Sequence, residues 1–223
     1  QEIAGVMELG MPGRGEHTEV MPFLENQVAS ELSGNVIDLC PVGALTSKPF
    51  RYTARTWELS RRLSISPHDS LGSNLEVHVK DNKVMRVLPR ENEDVNECWL
   101  ADRDRFSYEG LNTAERLTQP MIKRNGQWVE TTWQAALEFV ADKLKAIPAE
   151  RIGALSTPYR PAAELFLLQK LMRGMGSGNV DHRLRQSDFS LDGQARGGFW
   201  LGMPVTYMSR LNRMLVVGSN LRK

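Results

Sequence analysis

Cys40 is one of only two cysteines in the chain and stands in a turn-rich run, Gly34-Asn35-Val36-Ile37-Asp38-Leu39-Cys40-Pro41-Val42-Gly43-Ala44-Leu45-Thr46. Proline after a cysteine ends the local backbone ladder, and the small residues beyond it turn the sulfur inward, which is how a thiolate is offered to an iron-sulfur cluster. A four-iron cluster takes four ligands, commonly three of them from a C-x2-C-x2-C run, and no such run occurs in the chain. Cys40 is thus a candidate metal and cofactor ligand whose partners lie elsewhere. The bland alternative is a small, buried, inert hydrophobe. Cys98, before Trp99 and Leu100, is assigned that buried structural role, and His68 beside Asp69 falls short of a metal-ligand set.

The segments that must position these residues differ in texture. Residues 1–53 are broken by Gly10, Pro12, Gly13, Gly15, Pro22, Gly34, Pro41, Gly43 and Pro49, a loop-dominated pattern that needs more than a core to hold it. From Leu75 to Leu88 the apolar residues alternate: Leu75, Val77 and Val79 share one face, Glu76, His78 and Lys80 the other, and Asp81-Asn82 form a turn. This predicts a β-hairpin with His78 on a solvated face. Beyond Gly110 the period lengthens. Thr131 or Thr132 caps a predicted helix whose Trp133, Ala136, Leu137, Val140, Leu144 and Ile147 pack on a core until Pro148 stops it. Ile152 to Leu155 reads as a buried strand, Pro161 to Met172 as a second helix and Met214 to Val217 as another strand, which together suggest an α/β layer with a parallel sheet. Gly174 to Gly178 reads as a helix exit, since a phosphate cradle needs a strand before it and Lys-Ser or Lys-Thr after it.

Composition excludes several functions. With 28 basic and 27 acidic residues and a net charge of +1, nothing calls for a nucleic-acid partner. No apolar run reaches the roughly 18 residues that cross a bilayer. Two cysteines at unrelated positions make no disulfide framework and fit a reducing compartment.

The run from Gly34 to Thr46, continued by Ser47-Lys48-Pro49-Phe50-Arg51-Tyr52-Thr53-Ala54-Arg55-Thr56-Trp57-Glu58, resembles the large iron-sulfur subunit family of NADH-quinone oxidoreductase, respiratory complex I. Asp69 to Asn74, Val84 to Arg90, Asn96 to Leu100 and Arg105 to Leu111 extend the resemblance along the chain. It implies an internal fragment of a longer electron-transfer subunit, and the absence of an initiator Met and signal segment accords with that expectation. A multidomain α/β and α+β chain of three parts is implied: the end of a loop-rich ferredoxin-like 4Fe-4S domain over residues 1–53, a small hairpin module of the molybdopterin-oxidoreductase type over 54–110, and the start of an α/β molybdopterin-oxidoreductase-like domain over 111–223. Asp181 to Gln186 and Val216 to Asn220 carry the last likeness.

The resemblance further implies that Cys40 is the fourth ligand of a 4Fe-4S cluster whose other three thiolates precede Gln1, and that no molybdenum is bound. Molybdopterin enzymes frame the hairpin module with C-x2-C-x3-C and a later cysteine before Asp-Arg-x-Arg-Phe, and here that frame falls on Ser66, Asp69, Ser73 and Ala101. None can replace a soft thiolate, so the second cluster is expected to be missing. Implied partners are other complex I subunits, including the NADH/flavin-binding one. The implied place is peripheral, on the cytoplasmic face of a bacterial inner membrane or the mitochondrial matrix side. The rival functions are a molybdopterin enzyme such as a formate dehydrogenase or nitrate reductase, which should keep those cysteines, and a structural scaffold without a redox role.

Overall fold

The computed structural model describes residues 2–23, 27–69, 71–182 and 201–217. The chain divides into two compact units, Gln1–Asn112 with Trp200–Lys223, and Thr113–Phe199. The first unit begins with two short antiparallel strands, β1 (Leu9–Gly10) and β2 (Met21–Pro22). A five-residue helix, α1 (Asn35–Leu39), runs into Cys40. A three-stranded antiparallel sheet follows, with β4 (Asn74–Lys80) between β3 (Ser60–Ile65) and β5 (Lys83–Pro89). Asp81 and Asn82 turn β4 into β5 with φ of 49° and 60°, the left-handed pair that a two-residue hairpin turn requires and that Asp and Asn tolerate. The chain then reaches α2 (Asp102–Phe106) and a 3-10 turn over Ser107–Asn112. Leu75, Val87, Leu100 and Tyr108 close the core beneath the sheet, with Val77 and Val84 packed against them.

Two expectations change in this unit, and a third strand joins the predicted hairpin. β3 has no clear apolar face: its Leu63 and Ile65 are exposed, so its order comes from pairing with β4 rather than from burial. His78 does lie on the Glu76 face, but it is 1% exposed rather than solvated. Arg86 stands directly across the ladder and its Nε donates to His78 Nδ1 at 3.0 Å, while Nε2 meets Glu76 Oε1 at 2.7 Å. Because the guanidinium can only donate, Nδ1 is the acceptor and Nε2 carries the proton. Cys98 is exposed rather than buried. Asn96 donates to Arg90 O and accepts from Asn74 N, and this polar turn holds Cys98 outward while Leu100 takes the core position.

In the second unit, β6 (Met121–Arg124) and β7 (Gln127–Glu130) form a hairpin through Asn125-Gly126, whose φ values are both positive. Helix α3 (Trp133–Lys145) is capped by Thr132, whose Oγ1 accepts from Ala135 N at 3.3 Å. Strands β8 (Ala154–Leu155) and β9 (Val180–Asp181) pair in parallel across helix α4 (Ala162–Gly174), as a βαβ unit does. Pro161 is the N-cap of α4 rather than its first residue. Ile122, Ile152 and Met172 are buried, and Ser177 Oγ donates to Ile152 O at 2.7 Å.

The apolar face of α3 does not pack on a core as expected: Trp133, Leu137, Val140 and Ile147 are all exposed, and no residue of the helix is buried. Helical periodicity records that a face is apolar but not what covers it. Met214 to Val217, in the first unit, form no strand, because no described segment takes their backbone hydrogen bonds. Ser70, Arg183 to Gln186 and Gly218 to Asn220 lie outside the described residues.

Candidate functional site

Cys40 is placed by what happens on either side of it. Its amide donates to Val36 O at 3.1 Å, which closes the last turn of α1, and its extended backbone, with ψ of 105°, stops the helix ahead of Pro41. Gly43 then donates back to Cys40 O at 3.3 Å with φ of 65°, a conformation that favours glycine. This tight turn aims main-chain amides at Sγ. The Leu45 amide lowers the thiol pKa most; partial desolvation works against it, and the Ala44, Val42 and Gly43 amides lower it further. A sulfur surrounded by N–H donors favours its anion, which is the form that binds metal.

The helix carrying Cys40 is held from a distance. Asn35, 5% exposed, donates from Nδ2 to Leu100 O at 2.8 Å and accepts from Leu100 N at 3.0 Å. Buried Arg105 donates from Nη2 to Asp38 Oδ2 at 2.5 Å and to Asn35 Oδ1 at 3.3 Å. Asp102 accepts from Gly34 N at 2.7 Å and from Ser33 Oγ. Nothing local marks Asn35, Asp102 or Arg105 as positioning residues, since their partners are 65 to 70 positions away. A weak signal was the charged run Asp102-Arg103-Asp104-Arg105, which is unusual next to a core leucine.

Gly34 sits at ordinary helical φ, so its value is space rather than conformation. A Cβ there would lie 2.6 Å from Arg105 Cδ, 2.8 Å from Arg105 Nε and 2.8 Å from Asp102 Oδ1. Arg105 is locked by its bonds and its Nε has no acceptor, so it has little freedom to retreat. Gly34→Ala is expected to destabilise the first unit by about 1–3 kcal/mol, the usual range for overpacking, read from the urea midpoint.

Of the four positions on which the resemblance places a cluster frame, Ser66, Asp69 and Ser73 are linked by hydrogen bonds, and Ala101 is the N-cap of α2. Ser66 is buried and donates to Asp104 Oδ1 at 2.6 Å, while Ser66 N donates to Ser73 O at 2.8 Å. Ser73 Oγ donates to Asp69 Oδ2 at 2.6 Å, and Asp69 Oδ1 accepts from Gly72 N. His68 Nε2 lies 2.8 Å from Ser107 Oγ. Hydrogen bonds between oxygen groups thus join the 66–73 loop to itself and to α2. Among the described residues, no group of three or more His, Cys, Asp or Glu side chains could hold a metal ion.

Asp104, 4% exposed, has its carboxyl pKa raised, chiefly by burial; the Ser66 bond opposes this, Asp69 adds to it, and His68 and Arg103 oppose it. The folded chain therefore binds more protons than the unfolded chain between the ordinary aspartate value, about 3.9, and the raised one. Stability is expected to fall as pH rises through that interval. Asp104→Asn keeps an acceptor for Ser66 but cannot titrate, so the fall should flatten in urea melts taken from about pH 4 upward.

Three family models match in chain order. They are "NADH-quinone oxidoreductase subunit 3, ferredoxin-like domain" over residues 1–46, "NADH-ubiquinone oxidoreductase NDSU1/NuoG-like, 4Fe-4S domain" over 59–109, and "Molybdopterin oxidoreductase" over 116–223. The matches thus describe a modular polypeptide of the iron-sulfur and molybdopterin-oxidoreductase type. The chain is 43% identical over its full length to the NuoG-type NADH-quinone oxidoreductase polypeptide of Rickettsia conorii and covers 33% of that protein. It is 38% identical to the NADH-ubiquinone oxidoreductase 75 kDa subunit of Reclinomonas americana, with 99% of the chain and 34% of the relative aligned. With the mitochondrial NADH dehydrogenase [ubiquinone] iron-sulfur protein 1 of Solanum tuberosum the figures are 40%, 99% and 30%. The chain belongs to this NuoG / 75 kDa family of NADH-quinone oxidoreductase subunits and spans about one third of the length of these curated relatives.

Proposed function

We propose that the chain is an electron-transfer part of an NADH-quinone oxidoreductase subunit, with Cys40 as one thiolate ligand of a 4Fe-4S cluster. The observation that carries this is the amide-surrounded sulfur at the end of α1, where Leu45 and its neighbours favour the thiolate. When bound, such a cluster supplies one-electron relay, here between a flavin reduced by NADH and quinone on other subunits. The chain's own residues hold the ligand: Asn35, Asp102 and Arg105 fix α1, and the Pro41–Leu45 turn sets the hydrogen-bonding shell around the sulfur. The remaining three thiolates come from outside residues 1–223.

In the middle module the family likeness is one of fold. The matched 59–109 stretch has a single cysteine, Cys98, and it is exposed. The 116–223 stretch is read as a molybdopterin-oxidoreductase-like fold kept without molybdenum, and the match to that family model supports the fold alone. Partners are then other subunits of the complex, and the place is peripheral to the membrane on the cytoplasmic or matrix side. No described helix is long and apolar enough to cross a bilayer.

Iron and sulfide analysis tests this. Residues 1–223 alone should purify colourless, and Cys40 should react with alkylating reagent there but be protected in the assembled complex. Stoichiometric iron and sulfide on residues 1–223 alone, or equal alkylation of Cys40 in both settings, overturns the assignment.

A further inference from the structure

A cleft of about 540 Å³ opens in the first unit beside the Cys40 turn, with Leu45, Ser47, Asp38, Arg51, Arg86 and Arg105 among its walls. Asp38 is engaged by Arg105, while Arg51 and Arg86 enter no ion pair among the described residues. Arg86 is not a loose surface cation. Buried His78 accepts from its Nε at 3.0 Å, and its guanidinium stacks 4.4 Å above the Phe50 ring. That leaves the outer edge of a fixed fork unspent, the geometry that grips a carboxylate. Burial lowers the Arg86 pKa most; Asp38 and Glu76 work against this and Arg61 adds to it.

At the rim of this cleft Tyr52 is 97% exposed, with φ of 67°. A bulky aromatic residue rarely adopts that conformation, and here it brings no burial to the ring. The turn that imposes it is over-determined: Arg51 N donates to Ser47 O at 2.9 Å, and Thr53 donates to Phe50 O through both its amide, at 3.1 Å, and its hydroxyl, at 2.6 Å. Val42, 83% exposed, extends the surface on the Cys40 side. Tyrosine and arginine around a preformed pocket are the residues that anchor protein interfaces, and two guanidinium groups outside any described ion pair select an acidic partner.

We propose that the Arg51–Arg86 cleft and Tyr52 form a docking site for a carboxylate-bearing segment of a separate partner protein. The site rests on the reading of the chain as part of a multi-subunit complex, but not on Cys40 being a ligand. Charge complementarity names the partner chemistry: an Asp or Glu enters between the two guanidinium groups while Tyr52 covers the segment that carries it. Docking at this turn would bring another polypeptide next to the residues that shape the Cys40 environment.

The test replaces Tyr52 with p-benzoyl-phenylalanine in the full-length subunit, cross-links the assembled complex by light and maps the product by mass spectrometry. The expected product joins Tyr52 to a peptide of a different polypeptide that carries Asp or Glu within a few residues. Arg51→Glu, which leaves the buried His78 bonds untouched, and Arg86→Glu should each weaken retention of the subunit in the complex by tenfold or more at fixed salt. Changing the cross-linked acid to Lys should restore retention of the Arg51→Glu form. A cross-link within the same subunit, to a peptide without an acid, or no cross-link at all overturns the proposal, as does unchanged retention of Arg51→Glu or failure of the charge swap. Cys40→Ser in the same assay separates the two readings, since loss of a ligand without loss of the Tyr52 cross-link would leave the docking site standing.

Discussion

Replacing Cys40 with serine in the full-length subunit is expected to remove one reduced-state paramagnetic signal from the complex and leave the others in place. A serine oxygen is a hard ligand on a soft-metal site, and the surrounding turn is shaped for a sulfur anion: the Leu45 amide, and after it those of Ala44, Val42 and Gly43, favour the thiolate. Changes to groups that merely support a ligand cost roughly 10–100-fold in metal affinity, so loss of the ligand itself should exceed that. Electron flow from NADH to quinone should fall with the signal. Low-temperature magnetic resonance on the reduced complex, alongside iron content, measures both. Survival of every signal at full intensity would reduce Cys40 to a structural residue. Cys98→Ser is the internal control and should leave all signals unchanged, since Cys98 is exposed just after the Asn92–Glu97 turn, away from the Cys40 segment in sequence.

The second large effect is a gain. The resemblance places a four-cysteine frame on Ser66, Asp69, Ser73 and Ala101, and three of these are already joined by hydrogen bonds to one another or to Asp104. Replacing all four with cysteine is expected to let the first unit take up about four irons per chain on anaerobic reconstitution, four thiolates in register being what the cluster selects. Asp104 tempers the outcome: its carboxyl lies 2.6 Å from Ser66 Oγ and would face an anionic cluster once ionised. Adding Asp104→Asn should therefore raise the yield and shift the reduction potential upward. Cysteines moved one residue out of register provide the control, because ligand placement tolerates little more than about half an ångström of error. Equal iron uptake by both sets, or by neither, removes the claim that these positions preserve a cluster site.

Sequence alone determined the features that rest on neighbours in the chain. The Asp81-Asn82 turn, the Thr132 cap and the stop at Pro148 depend on a few adjacent residues, and the structure shows Asp81 and Asn82 at positive φ, Thr132 bonded to Ala135 N and α3 ended before Pro148. The turn chemistry around Cys40 was legible for the same reason, because proline and glycine act on their own backbone. So was the family, since its motifs are strings of consecutive residues, such as those from Gly34 to Thr46.

Only the tertiary structure decided what lies above a side chain. His78 sits on a polar strand face, yet Arg86 across the ladder and Glu76 beside it close over the ring, and alternation cannot register a lid supplied by another strand. Strand β3 carries too little apolar pattern to announce itself and is ordered by the edge of β4. Residue type points Cys98 to the interior, but the bonds of Asn96 hold that turn at the surface. The clamp on α1 was hidden most deeply. Asn35, Asp102 and Arg105 are ordinary surface types until residues 65 to 70 positions apart meet, and only then do their buried hydrogen bonds fix where the Cys40 sulfur stands.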